Sequence, residues 1–125
     1  DVNLYLKNDI AQSCTDGFMG TYDANSDYNI SNLAADAPGS NSKNSTTVPF
    51  LDSAIGDFHL ATPNNPAINA GTNLAVGTNL SFNTDIDGES RPVGASWDIG
   101  ADEYSAPTKA KFKGDIKFNG DVDIR

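Results

Sequence analysis

The chain carries one cysteine, one histidine and one tryptophan in 125 residues. The lone Cys14 excludes an intrachain disulfide and any zinc site built on paired cysteines. No His or Lys cluster flanks it to lower its pKa, so it reads as a small apolar filler rather than a reactive thiol. Basic residues are scarce too, eight against seventeen acids for a net charge of −9, which sets the body against nucleic acid and anionic lipid surfaces. No apolar run approaches the roughly eighteen residues of a membrane-spanning helix. Glutamate is nearly missing: fifteen of the seventeen acids are Asp, a turn and cap residue where Glu is a helix former. A phosphate-cradling loop is missing as well, because "DGFMG" (16–20) and "GTNLAVG" (71–77) lack the lysine and the strand-to-helix setting.

What fills the chain instead is Asn, Asp, Ser, Thr and Gly, the composition of short strands joined by many turns. The expected fold class is all-β, in one small domain with a modest core. The charge is unevenly spread: residues 1–104 carry −11 and residues 105–125 carry +2. The expected organisation is therefore a body, 1–104, and an extended C-terminal strand, 105–125. The chain opens in mid-pattern with "DVNLYL" and without Met, and is expected to be a processed or excised segment. Sequons at Asn29, Asn44 and Asn79 barely exceed the roughly two expected by chance among fourteen Asn and say little about glycosylation.

Along the chain, Val2, Leu4 and Leu6 alternate with Asn3, Tyr5 and Lys7, which predicts a strand with three aliphatics on one face. The stretch from Cys14 to Val48 is dense in turn residues, with Tyr28 and Ile30 as anchors and Asp36 to Thr47 as a long surface loop. Phe50, Ile55, Phe58, Leu60 and Ile68 are spaced by turns, predicting a chain that bends repeatedly and drops each of them into a core. "GTNLAV" and "GTNLSF", 71–76 and 77–82, are near-copies whose Leu74, Val76, Leu80 and Phe82 share one parity, a hint of stacked strands. In the tail, Phe112, Ile116, Phe118, Val122 and Ile124 alternate with charged residues. They predict a half-buried strand whose apolar face and open edge need a partner.

The segment 84–104, "TDIDGESRPVGASWDIGADEY", gathers acids around Arg91 and Trp97 and has three readings. As catalysis it offers paired carboxylates for glycoside cleavage, but nothing in the spacing sets their separation and no catalytic residue is assigned. As a metal site, Asp85 and Asp87 offer oxygens to Ca2+, although Ser96 stands where a calcium loop places its distal Glu. As a structural cap, Asp85 and Asp87 accept from turn amides, Gly88 supplies a positive φ, and Arg91 grips Glu103 or Asp98 bidentately. Trp97 then plugs the core end, with Gly100 in the closing turn. His59, flanked by Phe58 and Leu60, points away from them as a surface or hydrogen-bonded residue without a metal constellation. Tyr5, Tyr22, Tyr28, Phe58 and Trp97 are rim and core aromatics, or alternatively a sugar-stacking platform.

Four phrases, Asp57-Phe58-His59-Leu60, Asn65-Pro66-Ala67-Ile68-Asn69-Ala70-Gly71, Asp85-Ile86-Asp87-Gly88-Glu89-Ser90-Arg91-Pro92 and Asp98-Ile99-Gly100-Ala101-Asp102-Glu103, together carry a family likeness. In this order they resemble the C-terminal end of bacterial right-handed parallel β-helix proteins of the pectate-lyase-like, choice-of-anchor type. Asn69 stands where that family usually has Asp. The resemblance implies the terminal coils and cap of a parallel β-helix with long loops, followed by the tail strand. It implies a non-catalytic structural or adhesion module, extracellular or on a cell surface; the alternating tail, which is not part of the shared phrases, adds the expectation of a homo-oligomer or polymer joined through that strand. The alternatives are a carbohydrate-binding or polysaccharide-degrading β-helix fragment with a glycan partner, and a viral fibre or tail component.

Overall fold

A computed structural model of the chain describes residues 4–78 and 81–107. The described residues are mostly non-helical. Four short strands form two small sheets: β1 (Ile10–Ala11) with β2 (Ile30–Ser31), and β3 (Phe50–Asp52) with β4 (Asp57–Leu60). The first pair is parallel, Ile10 opposite Ile30, and the second antiparallel, Phe50 opposite Leu60. Further parallel bridges join Leu4 to Tyr22, Lys7 to Asp27 and Ile30 to Lys43. Successive passes of the chain therefore lie on one another, with Asp27 N–H donating to Leu6 O at 3.0 Å and Lys43 N–H to Asn29 O at 2.8 Å. Among the described residues the passes do not close into a solenoid or barrel, and no helix is long and apolar enough to cross a membrane.

The passes are short because turn-forming residues interrupt them, so side-chain amides complete the pairing that backbone ladders leave unfinished. Asn29, wholly buried, accepts Asp9 N–H at 3.0 Å and donates to Leu6 O and Pro38 O at 3.2 and 3.3 Å. Gln12 holds both backbone groups of Val48, accepting from N at 2.9 Å and donating to O at 3.1 Å. Asn8 clasps Thr72 in the same way at 2.8 and 2.9 Å, while its own carbonyl accepts Gly100 N–H at 2.9 Å. Asn8 thus ties the first pass to the C-terminal part of the body. The left-handed backbone this requires, φ 60°, is one that Asn tolerates better than most residues.

Ile30, Val48, Leu60, Ala67 and Ile99 form the buried core, with Ile10, Tyr28, Phe50, Ile68 and Tyr104 packed around it. Truncating Ile30 or Ile99 to Ala would cost about 2–5 kcal/mol. Several expected core residues lie outside it. Ile55 is 80% exposed because Asp52 caps the single 3-10 turn Ser53–Ile55, which ends at left-handed Gly56 and lifts Ile55 to the surface. Phe58, 51% exposed, packs edge-on against Phe50 instead of entering the core. The first near-copy, 71–76, does not form a strand: Leu74 is buried, but Val76, 84% exposed, sits in a turn closed by Gly77 N–H on Leu74 O. Leu4 is likewise largely exposed, and the first segment pairs by single bridges rather than as a continuous strand.

The segment Asp36 to Thr47 is not a free surface loop. Asn44 Oδ1 accepts both Asp36 and Ala37 N–H at 2.7 Å, Ala37 is buried, and Lys43 bridges to Ile30. The sequon asparagine Asn29 is buried, which bars glycosylation there. Leu80, Asn79 and the tail residues Phe112, Ile116, Phe118, Val122 and Ile124 lie outside the described residues.

Asn8→Ala should destabilise the protein by at least about 2 kcal/mol, through two unmet backbone groups and the φ penalty. Asn25→Ala, at an exposed turn bonded only to Asp23, should cost less than about 0.5 kcal/mol. Chemical denaturation of the two variants checks the difference.

Candidate functional site

The turn after Thr84 is built by Asp85. Its Oδ1 accepts Asp87 and Glu89 N–H at 3.0 and 2.8 Å, its Oδ2 accepts Glu103 N–H at 3.2 Å, and Gly88 takes φ 82°. Thr84 and Ser90 then pair antiparallel, which aims Arg91 inward. Arg91 is buried, and every guanidinium N–H has an acceptor. Nη1 donates to Glu103 Oε1 at 3.0 Å and Asp98 O at 3.3 Å, Nη2 to Gly100 O and Ala101 O at 3.0 and 2.6 Å, and Nε to Thr84 O at 3.3 Å. Trp97 and Phe82 present ring faces to the cation at 5.3 and 5.9 Å, and Trp97 is 2% exposed.

The carboxylate partner of Arg91 is Glu103, one of the two acids the sequence offers, but the contact is a single hydrogen bond rather than a bidentate one. The second guanidinium nitrogen is taken by backbone carbonyls. Glu103, 2% exposed, also accepts Asp98 N–H at 2.8 Å and Val93 N–H at 3.1 Å. Asp98 accepts Asn69 N–H at 2.6 Å and Tyr104 N–H at 2.7 Å. Burial pushes the Asp98 carboxyl above its ordinary range, against the pull of those two amides. At Gly100, φ 110°, a Cβ would meet Ile10 Cδ1 at 2.8 Å, so only glycine fits the closing turn.

A second cluster forms where β4 meets this block. Strand alternation puts Asp57 and His59 on one face while Leu60 turns into the core. His59 Nδ1 lies 2.5 Å from Asp57 Oδ1 and Nε2 lies 3.0 Å from Asp87 Oδ2. Asp102, buried beneath them, accepts Leu60 N–H at 2.7 Å. Hydrogen bonding to Asp57, then to Asp87, raises the His59 pKa to about 9, and the same bond lowers that of Asp57. One atom each of His59, Asp87 and Asp102 lie within 4.8 Å of one another, an arrangement with metal-ligand chemistry.

The arrangement bears on two expectations. His59 does have a carboxylate constellation, which the sequence conceals because Asp87 and Asp102 reach it from distant segments. The "DFH" spacing that places Asp57 beside His59 was a readable signal. Asp85 and Asp87 have different partners: Asp85 serves the backbone, and Asp87 serves His59 rather than capping its own turn.

Alongside runs an open groove of about 800 Å³ lined by Tyr5, Phe50, Phe58, Leu74, Phe82 and Ile86 among others. Of the expected aromatic platform, Tyr5 and Phe58 face this groove, Trp97 is buried, and Tyr22 and Tyr28 do not line it. No family model, curated protein or solved structure matches the chain.

Two measurements probe these clusters. Glu103→Gln should destabilise by about 3–5 kcal/mol by leaving the Arg91 charge buried without a counter-ion, read by thermal or denaturant unfolding. For His59 the folded pKa, about 9, exceeds the ordinary 6.5. Its stabilisation is therefore complete below pH 6.5 and is lost as pH rises through about 9. Melts in chelator-containing buffer across that window should fall for the parent chain and show a smaller fall for His59→Gln.

Proposed function

We propose that the chain is a non-catalytic structural module, the terminal coils and cap of a right-handed parallel β-helix, acting outside the cell in a surface or fibre assembly. The observation that carries this reading is the stacking of successive passes at a spacing near one coil. Ile10 pairs in parallel with Ile30, and Asp9 N–H reaches Asn29 twenty residues on. The closing block supports it. Asp85, Asp98 and Glu103 are engaged by backbone amides and Arg91, leaving those acids no free pair to act across a sugar. Terminal repeats of stacked folds need such a cap, because an open end exposes core.

Assembly runs through the C-terminal segment of one copy and the apolar groove of another. The segment supplies alternating Phe112, Ile116, Phe118, Val122 and Ile124 with a net charge of +2, against −11 on residues 1–104. The groove offers Phe58 and Ile86, 51% and 61% exposed. The segment is complementary to the body in charge and to the groove in apolar character, the pairing that strand addition to a neighbour exploits.

Light scattering on the full chain, on a chain ending at Pro107 and on Phe58→Ser tests this. The full chain should show concentration-dependent oligomers, the shortened chain should be monomeric, and Phe58→Ser should weaken association about tenfold or more, as loss of an apolar anchor does. Identical monomers in all three contradict the reading.

A further inference from the structure

We infer that His59, Asp87 and Asp102 form a binding site for a divalent cation of the zinc class, which staples the 84–90 turn onto β4. The inference is independent of the assembly proposed above. The donor set is one imidazole and two carboxylates. Imidazole nitrogen selects zinc and its transition-metal neighbours, whereas calcium takes about six to eight oxygens.

The geometry is close to what such an ion needs. A tetrahedron built on bonds of about 2.0–2.1 Å has edges of about 3.4 Å. His59 Nε2 and Asp87 Oδ2 already stand 3.0 Å apart, and one ligand atom from each of His59, Asp87 and Asp102 form a triangle in which no separation exceeds 4.8 Å. Modest side-chain rotation closes that triangle around an ion.

The supporting contacts are those of a prepared ligand set. Asp57 holds His59 Nδ1 at 2.5 Å, so the ring presents Nε2 to the other two acids. A carboxylate on the far ring nitrogen is the usual partner of a metal-binding histidine. Leu60 N–H holds Asp102 at 2.7 Å from the backbone of the same strand. Asp102 is 6% exposed and forms the floor, while the Asp87 side chain is 54% exposed and leaves the site open to solvent from above. Three protein ligands then leave a position for water or for a group from a partner. The ligands come from β4, the 84–90 turn and the closing segment, so the ion would join three parts of the chain at one point.

The test is titration calorimetry with zinc chloride alone on the full chain carrying Cys14→Ser, since that thiol is exposed and would compete. One zinc per chain should bind, and the His59 ring carbons should shift in NMR spectra on addition. Asp87→Asn, a change at an exposed side chain that leaves the core untouched, should weaken binding about tenfold or more, and His59→Gln should abolish the site, as loss of a ligand does. Calcium at millimolar concentration should not displace zinc. Absence of saturable zinc binding would overturn the inference. So would zinc affinity unchanged in Asp87→Asn, or calcium binding as tightly as zinc.

Discussion

Buried backbone groups must find hydrogen-bond partners, and among the described residues the strands that would normally supply them are only two to four residues long. Side chains make up the difference. Asn8, Gln12, Asn29, Asn44 and Asn65 each bond backbone groups distant in sequence or across a turn, and Asp85, Asp98, Asp102 and Glu103 accept backbone amides. The abundance of Asn and Asp follows from that need. Short side chains lose little conformational entropy on being fixed, and their oxygens sit close enough to the main chain to stand in for a neighbouring strand.

The same constraint explains why the closing block carries so much charge in so little space. Arg91 collects four carbonyls that have no ladder, and its burial is tolerable because Glu103 and the faces of Trp97 and Phe82 surround it. Glu103 in turn holds Asp98 N–H, and Asp98 holds Asn69 and Tyr104. Removing one member leaves several polar groups unmet at once, so the block acts as a unit. Its outer edge places Asp87 and Asp102 against His59.

Much of that block was legible in the sequence. Gly88 between acids marks a positive-φ turn, and Glu103 was one of two partners named for a buried arginine, because a carboxylate in that setting needs a cation. The core was less legible. Periodicity assumes that a strand continues long enough to keep its faces, whereas Ile55 and Val76 lie in turns that rotate them to solvent. Parallel pairing of Ile10 with Ile30 leaves no local mark, since two residues carry no period. The His59 cluster needed three separate segments, and only its Asp57 member lay within reach of local spacing.

Native-state hydrogen exchange tests most directly whether carboxylates replace strands as the acceptors that hold the fold. Leu60, Asn69, Asp98, Glu103 and Tyr104 all donate to Asp or Glu side chains. These amides should exchange only through global unfolding, as slowly as Ile30 and Ser31 in the parallel pair. Exchange of the five on the timescale of exposed turns, with Ile30 and Ser31 still protected, would contradict the account.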